Sequence, residues 1–353
     1  MTTISTGLSR IGIAALAGGA LLLAATACSS GGSGGEAKTA QPAERHLVYI
    51  AGDSTKNASV VIAGPKGQNA HHLTTGFVAL LSPDGKAVAV QRKGKGIFLV
   101  SSDGSKTSRL TARPLRPVAW SLDGKTLYAA ASNGSAVTEL LALDREDGSS
   151  HSLAKGSFYG FDISPDGSQL VYSRAPEVTP EGICGDQFDL YVTKLDGSSP
   201  ERITRDGVSA FPVWGPAGIA YSHFPSTGDQ YDCSAPGIRT IDPDGSNAKP
   251  VIDRAPDSIT LLGFYGLQPL GWLDDSHLLI GLRGESGTEG AVLDLGNKKI
   301  RRLGEAFADE ISSDGRYSVG SGGQDALELS IMRLSDGKRV FMRKNVCCPD
   351  WNR

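Results

Sequence analysis

The chain has 353 residues, of which 39% are hydrophobic, 7% aromatic and 21% charged, and its formal net charge is −3. This composition is that of a soluble globular chain, which excludes a disordered tail and a protein with several membrane spans. The negative charge, without any basic stripe interleaved with aromatic residues, argues against nucleic acid as a partner. The 45 Gly and 18 Pro residues, without long helical runs, favour a turn-rich all-β fold over a helix bundle.

Residues 1–27 have the pattern of an export signal. Arg10 precedes the apolar run from Ile11 to Ala25, and small residues then lead to Cys28. The run is too short and too rich in Gly to be a stable membrane span. A cysteine at this point resembles the lipobox of bacterial lipoproteins, in which that cysteine carries the lipid. The resemblance implies a protein anchored to the outer face of the bacterial cell membrane through a lipidated Cys28.

Residues 28–44 form a predicted tether that is rich in Gly and Ser. A flexible tether of this kind would hold a folded domain away from the bilayer. The alternative is a soluble secreted protein in which Cys28 only lies near the cleavage point. Residues 45–353 remain for the folded part, a length that suits two ordinary domains or one large repeat fold.

A turn motif of the type Ser-x-Asp-Gly recurs through residues 45–353. Successive copies, two of them degenerate, begin 39 to 58 residues apart. They begin at Ser82, Ser121, Ser164, Gly215, Leu273 and Ser312. All four Trp residues occupy one repeat position. Trp120, Trp214 and Trp272 directly precede a copy, and Trp351 directly precedes Asn352, which lies 40 residues after the start of the last copy. A fixed Trp position at this period indicates a repeat fold.

Each repeat is predicted to contain four short strands. The clearest unit has strands at Pro117 to Trp120 and at residues 125–131, 136–143 and 150–154. Asp-Gly pairs supply the positive φ that closes the hairpins. A second class of them marks the turn between the third and fourth strands, at residues 103–104, 147–148, 196–197, 244–245 and 336–337. Four strands at a period near 40 residues predict the blade of a β-propeller.

The two ends of the folded part complement each other. Residues 46–75 supply the second, third and fourth strands of a blade, whereas Cys347 to Trp351 supply a first strand alone. A blade shared by both ends would close the ring and remove exposed sheet edges. We therefore predict an all-β propeller of seven four-stranded blades closed by pairing the N-terminal and C-terminal strands, with six blades as the alternative.

The turns that follow Trp, and the stretches that end in Arg-Leu-Thr at 109–111 or Arg-Ile-Thr at 202–204, resemble the WD40-like repeats of TolB-type propellers. The resemblance covers essentially all of residues 45–353. Members of that family pair a six-bladed propeller with an α/β domain and serve as periplasmic platforms for protein interactions. The resemblance therefore implies an extracytoplasmic binding or scaffold module for an envelope protein or a carbohydrate, although the α/β domain has no counterpart here.

The surplus length of the repeats gathers on one face of the predicted propeller. It lies in residues 175–187, 224–236 and 253–268, and the first two stretches hold acids but no Lys or Arg. Long loops on a rigid scaffold usually carry the binding residues, and acids there could attract a cationic partner or Ca²⁺. The alternatives are neutral length variation and simple solvation. The candidate binding residues are Glu177, Glu181, Asp186, Phe224, Asp229, Tyr231, Asp232, Phe264 and Tyr265.

Four cysteines remain when Cys28 is assigned to lipid. Cys184 and Cys233 lie in equivalent loops of successive blades, so we expect a disulfide between them. Cys347 and Cys348 then either pair with each other or stay free. A bond between adjacent residues needs a local turn, which the proline that follows them makes feasible.

Catalytic motifs are scarce in this sequence. None of the six His has metal-ligand spacing, and the Gly-x-Ser-x-Gly match at residues 31–35 lies in the tether. We therefore expect no metal and no cofactor, and binding is favoured over catalysis. The alternative is a lyase or cyclase with its site at the mouth of the central channel, on the face with the long loops. Convergence of a His with carboxylates at that mouth would favour this alternative.

The lipid anchor is directly testable. The Cys28→Ser variant should remain uncleaved by the lipoprotein signal peptidase and should lack the acyl chains that supply most of the membrane affinity. Fractionation and the mass of the peptide that contains residue 28 check this. Wild-type protein found only in the soluble fraction, without added mass on Cys28, would contradict the prediction.

Overall fold

A computed structural model describes residues 46–52, 58–133, 136–176, 187–224, 226–227, 230–231, 236–260, 263–284, 287–312, 314–322 and 328–351. These residues form seven four-stranded antiparallel sheets, one two-stranded sheet, and a four-residue helix, α1 (Asp257–Thr260). Each four-stranded sheet is one blade of a propeller. The predicted all-β fold is therefore confirmed, with seven blades and not six.

The strands are numbered β1 to β30 along the chain, and each blade is given from its innermost strand outward. Blade 1 consists of β30 (Val346–Trp351), β1 (Leu47–Ala51), β2 (Ala58–Ala63) and β3 (His71–Gly76). Blade 2 consists of β4 (Val78–Leu81), β5 (Ala87–Arg92), β6 (Gly96–Ser101) and β7 (Thr107–Thr111). Blade 3 consists of β8 (Arg116–Trp120), β9 (Thr126–Asn133), β10 (Ala136–Asp144) and β11 (Ser150–Lys155).

The remaining blades follow the same order. Blade 4 consists of β12 (Ser157–Ile163), β13 (Gln169–Ala175), β14 (Asp189–Lys194) and β15 (Glu201–Arg202). Blade 5 consists of β16 (Ser209–Gly215), β17 (Gly218–His223), β20 (Gly237–Ile241) and β21 (Lys249–Ile252), and the pair β18 (Ser226–Thr227) and β19 (Gln230–Tyr231) lies between its second and third strands. Blade 6 consists of β22 (Phe264–Asp274), β23 (His277–Gly284), β24 (Gly287–Asp294) and β25 (Ile300–Phe307). Blade 7 consists of β26 (Glu310–Ile311), β27 (Tyr317–Gly322), β28 (Glu328–Arg333) and β29 (Arg339–Lys344).

The repeated aspartates build the hairpin turns. In blade 3, Asp123 Oδ1 accepts hydrogen bonds from Ser121 Oγ at 2.7 Å and from Lys125 N at 3.0 Å. Gly124 follows with a φ of 68°. The hydrogen bond from Ser121, followed by that from the Lys125 amide, holds the pKa of Asp123 below its usual range. The recurring aspartates are thus explained by the turns that they form.

The four Trp residues end the innermost strands or lie near their ends, as the repeat position predicts. None of them is more than 7% exposed. The indole of Trp120 donates to the carbonyl of Leu80 in the preceding blade at 3.4 Å, and that of Trp272 donates to Val213 in its preceding blade at 3.3 Å. Trp120 and Trp272 therefore each join a blade to the one before it.

Buried carboxylates join other pairs of blades at the residue before the Trp position. Asp162 in blade 4 accepts from the Trp214 amide of blade 5 at 2.8 Å. Glu310 in blade 7 accepts from the Trp351 amide of blade 1 at 3.3 Å. Asp350 in blade 1 accepts from the Leu81 amide of blade 2 at 2.6 Å. Each acid is at most 6% exposed, so each satisfies a backbone donor in the interior of the ring.

The ring closes through β30, as the complementary ends predict. Strand β30 pairs antiparallel with β1, with Leu47 opposite Trp351 and Ala51 opposite Val346. The side chains of Tyr49, Val319 and Trp351 pack in one core between blades 1 and 7. Closure therefore combines a backbone ladder within blade 1 with apolar burial against its neighbour.

Closure can be tested by removing the strand or its buried acid. Deleting residues 346–353 should expose β1 as a sheet edge and cause aggregation, which size-exclusion chromatography would show. The milder variant Asp350→Ala should lower the free energy of unfolding by about 1 to 3 kcal/mol, because the buried Leu81 amide loses its acceptor.

The matched control for the milder variant is Asp147→Ala, which changes an exposed aspartate in a turn of blade 3. A monomeric deletion variant with an unchanged melting temperature would contradict the shared-blade architecture. Equal effects of the two Asp→Ala variants would contradict the role given to Asp350.

Candidate functional site on the loop-bearing face

The two faces of the propeller differ in the length of their connections. The turns between the first and second strands and between the third and fourth strands define the turn face. The connections between the second and third strands and between successive blades define the loop-bearing face. The longest connections of the loop-bearing face, residues 176–188, 224–236 and 253–263, all belong to blades 4 and 5 or lead out of blade 5. The expected gathering of surplus length on one face is thus present in the topology.

Most residues expected to form the binding surface lie outside the described residues. These are Glu177, Glu181, Asp186, Asp229 and Asp232, together with the cysteines Cys28, Cys184 and Cys233. Tyr231 lies in β19, and Phe264 and Tyr265 lie in β22, but their side chains are also outside the described part. The acidic surface and the disulfide between Cys184 and Cys233 therefore stay predictions.

Phe224 requires a correction, because it is a core residue and not an exposed anchor. Its side chain is 0% exposed. Its ring packs edge-on against Phe188 with centroids 5.5 Å apart, and it lies 6.5 Å from the ring of Phe211. Phe188 in turn contacts Tyr159 at 5.4 Å. The burial of apolar ring surface holds Phe224 inward, and this aromatic cluster packs between blades 4 and 5 at the base of the long loops.

A buried aspartate fixes the point where the loop of blade 4 rejoins the sheet. Asp189, the first residue of β14, is 6% exposed and receives a hydrogen bond from the guanidinium of Arg202. It also accepts from Thr204 Oγ1 at 3.0 Å and from the Gly207 amide at 3.2 Å. The sequence interpretation missed this residue. The sequence pattern that could have indicated it is an acid at the start of a strand that follows a long loop. Asp189 links the end of one loop to the connection that leads into blade 5.

Asp206 ties that same connection to the end of β17. His223 Nε2 lies 3.3 Å from Asp206 Oδ2, Ser209 Oγ donates to Oδ1 at 2.8 Å, and the Val208 amide donates to Oδ1 at 3.1 Å. Burial by itself would raise the pKa of Asp206, but the hydrogen bonds from His223, Ser209 and Val208 outweigh it and lower the pKa. His223 is the last residue before the loop of blade 5. The trio of Asp206, Ser209 and His223 therefore holds the base of the second long loop.

The contacts of this trio do not match nucleophilic catalysis. A catalytic serine must hydrogen-bond to its general base, whereas Ser209 and His223 each contact Asp206. Burial raises the pKa of Tyr221, whose hydroxyl lies beside Ser209, to about 12, so its phenol stays protonated. Within the described ranges, no group of three or more His, Cys, Asp and Glu residues is placed to hold a metal ion. The geometry of the trio therefore corresponds to an anchor.

The innermost strands of three blades bend at one repeat position. Gly160, Phe211 and Cys348 have φ values of 109°, 51° and 58°. Each lies three residues before the Trp position of its repeat, which is Ile163 in blade 4, Trp214 in blade 5 and Trp351 in blade 1. The ladder with the second strand skips residues at each site. A positive φ is costly for Phe and Cys, so the surrounding packing must hold these two bends. Only the proline after Phe211 and Cys348 hints at the bends in the sequence.

The structure joins Cys347 and Cys348 as a disulfide between adjacent residues. The sequence interpretation left their state open between a mutual bond and free thiols. Cys347 is 3% exposed and packs in the core that blades 1 and 2 share, whereas Cys348 is half-buried. The bend at Cys348 supplies the local turn that such a bond needs.

A small cavity lies near the axis on the turn face. It has a volume of about 50 Å³ and is lined by the ends of innermost strands, including Trp120, Glu310 and Asp350. Such a volume holds a few water molecules and is far below the size of an ordinary small-molecule site. The loop-bearing face therefore remains the better candidate for recognition.

Solved structures share this arrangement at low sequence identity. TolB from Acinetobacter baumannii matches with a TM-score of 0.52 and 16% identity over 88% of this chain and 67% of that one. The chain has the TolB-like β-propeller fold. Oligogalacturonate lyase from Vibrio parahaemolyticus matches with a TM-score of 0.54 and 14% identity, covering 84% of each chain.

A puromycin-hydrolysing peptidase from Mycobacterium tuberculosis also matches this chain in structure. Its TM-score is 0.58 at 15% identity, with 84% of this chain covered, and this chain spans about half of that one, 52%. Comparison with protein-family models and with curated proteins finds no match. At these identities the likeness establishes the fold alone, which binding proteins and enzymes share. No helix in the described residues has the length and apolar character to cross a membrane.

The anchor at Asp206 makes stability depend on pH in a stated direction. Since its folded pKa is lowered, the unfolded chain binds more protons at acidic pH. The stabilisation is fully present above about pH 3.9, the unfolded pKa, and is lost as the pH falls through the lower folded pKa. Asp206→Asn should therefore lower the free energy of unfolding by about 1 kcal/mol near neutral pH, with allowance for partial exposure. The difference from wild type should shrink as the pH falls towards 3. Chemical denaturation at several pH values measures it.

Glu201→Gln serves as the control, because it removes one negative charge from an exposed position in β15, directly before the connection that holds Asp206. The control should show little change at any pH. A difference for Asp206→Asn that stays constant with pH would contradict the assignment.

Proposed function

We propose that this chain is an extracytoplasmic, lipid-anchored binding module whose loop-bearing face over blades 4 and 5 engages an envelope partner. The observation that carries the proposal is the pair of anchors beneath the two long loops. Asp189 accepts hydrogen bonds from Thr204 and Gly207 of the connection 203–208, which lies between the loops. Asp206, within that connection, contacts Ser209 and His223 of blade 5. Contacts that fix the described bases of both loops restrict the chain beneath them, which reduces the entropy lost on binding.

The chemistry of the loops favours a partner protein with a cationic surface. The stretches 175–187 and 224–236 contain five acids and no Lys or Arg. An acidic surface attracts a positively charged partner and would repel an acidic oligosaccharide. Phe188 and Phe224 are fully buried and therefore cannot serve as a stacking platform for a sugar. A carbohydrate partner is therefore the less favoured form of the proposal.

The alternative is a lyase or cyclase acting at the mouth of the channel on the same face. His223 with Asp206 is the observation that favours it, since a His meets a carboxylate on the loop-bearing face. The carboxylate is occupied by Ser209 and the Val208 amide, which supports the anchor role instead. Turnover of a polyuronate, followed by the absorbance of the unsaturated product and abolished in His223→Ala, would support the enzyme.

Site-specific photo-crosslinking in intact cells tests the binding module. A photoreactive amino acid is placed at Glu181 or Asp229 in the long loops of the full chain. The matched controls are Glu146 and Asp275, which are exposed acids on the turn face. We expect defined high-mass adducts from the loop positions only, and we expect their yield to fall as the salt concentration rises because the attraction is electrostatic.

Two outcomes would contradict the proposal. Adducts that form only from Glu146 and Asp275 would move the interaction to the turn face. Equal yields from both faces, insensitive to salt, would show non-specific contact. Adducts from the loop positions that map to glycan instead of protein would support the carbohydrate partner.

A further inference from the structure

The bonded pair Cys347 and Cys348 lies in β30, the strand that closes the ring. Cys347 packs in the apolar core with Val48 and Ile50, whereas Cys348 is half-buried at the bend of the strand. The Cys348 amide donates to Ser321 Oγ of blade 7 at 3.2 Å. The pair therefore lies in blade 1, with Cys347 in the core shared with blade 2 and with the partly exposed Cys348 hydrogen-bonded through its amide to blade 7.

This disulfide is poorly suited to stapling the chain. The stabilisation from cross-linking grows with the length of the loop that the bond closes, and adjacent residues close the shortest loop possible. Strand β30 is already held by its ladder with β1 and by the buried contacts of Asp350 and Trp351. We therefore expect the bond to contribute little to the stability of the fold.

The bend in β30 does not require the bond either. Blade 5 carries Ala-Phe-Pro at residues 210–212 where blade 1 carries Cys-Cys-Pro at residues 347–349. Phe211 adopts a φ of 51° and Cys348 a φ of 58°. Blade 4 makes its bend at the same position with Gly160. The same local geometry thus forms twice in this molecule without a disulfide.

We propose that Cys347 and Cys348 form a redox-active site that undergoes thiol–disulfide exchange with a protein dithiol, with Cys348 as the sulfur attacked. The accessible member of the pair is the one that a thiolate can reach. The proposal does not rest on the binding function, since it concerns another part of the ring.

The exchange proceeds in two balanced steps. A thiolate of the dithiol attacks Cys348 Sγ and forms a mixed disulfide, while the bond between the two cysteines breaks and Cys347 leaves with its electron pair and takes up a proton. The second thiol of the reductant, as a thiolate, then attacks the mixed disulfide and releases Cys348, which is protonated. The chain gains two electrons and two protons, and the dithiol becomes a disulfide.

Reduction should affect the junction of blades 1 and 7. With the bond broken, the φ of Cys348 is held only by the surrounding packing and by its hydrogen bond to Ser321. Ser321 in turn donates its amide to Asp309 Oδ2 at 2.9 Å. We therefore expect faster hydrogen exchange at the amides of Ser321 and Cys348 after reduction, with the cores of blades 3 and 5 unchanged.

The decisive experiment traps the first step on the full chain in detergent. The probe is a thioredoxin-type protein whose second cysteine is replaced by Ser, so that the mixed disulfide cannot resolve. Peptide mapping should find the adduct on Cys348 and Cys347 as a free thiol. An adduct on Cys347, no adduct, or a native link from this pair to Cys184 or Cys233 would overturn the proposal.

A variant separates exchange from folding. Cys347→Ala/Cys348→Gly copies the glycine bend of blade 4, so it should fold as a monomer, melt within about 3 °C of wild type, and form no adduct at residues 347–348. Loss of folding or a fall of about 10 °C or more would show that the bond is a structural staple, and the proposal would then be wrong.

Discussion

The antiparallel pairing of β30 with β1 makes the chain a closed ring, and every other contact between blades depends on that closure. Blade 1 is assembled from the two ends of the folded part, so its innermost strand has no covalent neighbour within the blade. The ladder supplies backbone hydrogen bonds, and Trp351 with its neighbours buries apolar surface against blade 7. Without β30, β1 would be an unpaired edge and blade 7 would lose its packing partner.

Two kinds of polar contact join the innermost strands around the ring. In some blades the indole of the Trp reaches back to a carbonyl of the preceding blade, as Trp120 and Trp272 do. In others an acid accepts the amide at the end of the next innermost strand, as Asp162 and Asp350 do. Both satisfy backbone groups that the interior would otherwise leave without a partner. The ring therefore stays rigid although the repeats differ in sequence.

That rigidity gives the loop-bearing face its functional meaning. The long loops leave neighbouring blades, and the hydrogen bonds of the buried Asp189 and of the partly exposed Asp206 fix the chain between them. Aromatic packing around Phe188 and Phe224 fills the space beneath. Anchors of this kind are costly in desolvation unless every carboxylate oxygen finds a donor, which the hydrogen bonds to both aspartates provide. The binding proposal and the redox proposal concern separate regions of one scaffold: the first concerns blades 4 and 5, and the second concerns the innermost strand of blade 1.

The sequence by itself determined the architecture, because blades are made of local hairpins. The strands predicted in the unit of blade 3 agree with β8 to β11 within two residues, and the Asp-Gly turns lie where their chemistry placed them. The incomplete units at the two ends also predicted the shared blade, because three strands at one end and one strand at the other together make the four strands that a blade requires. Tertiary structure alone decided what depends on partners distant in sequence: Asp350 meets the amide of Leu81, 269 residues away, and Phe224 turns into the core. The sequence around an acid or a Phe near a loop is the same whether its side chain is exposed or buried. Only the packing of neighbouring blades decides between exposure and burial.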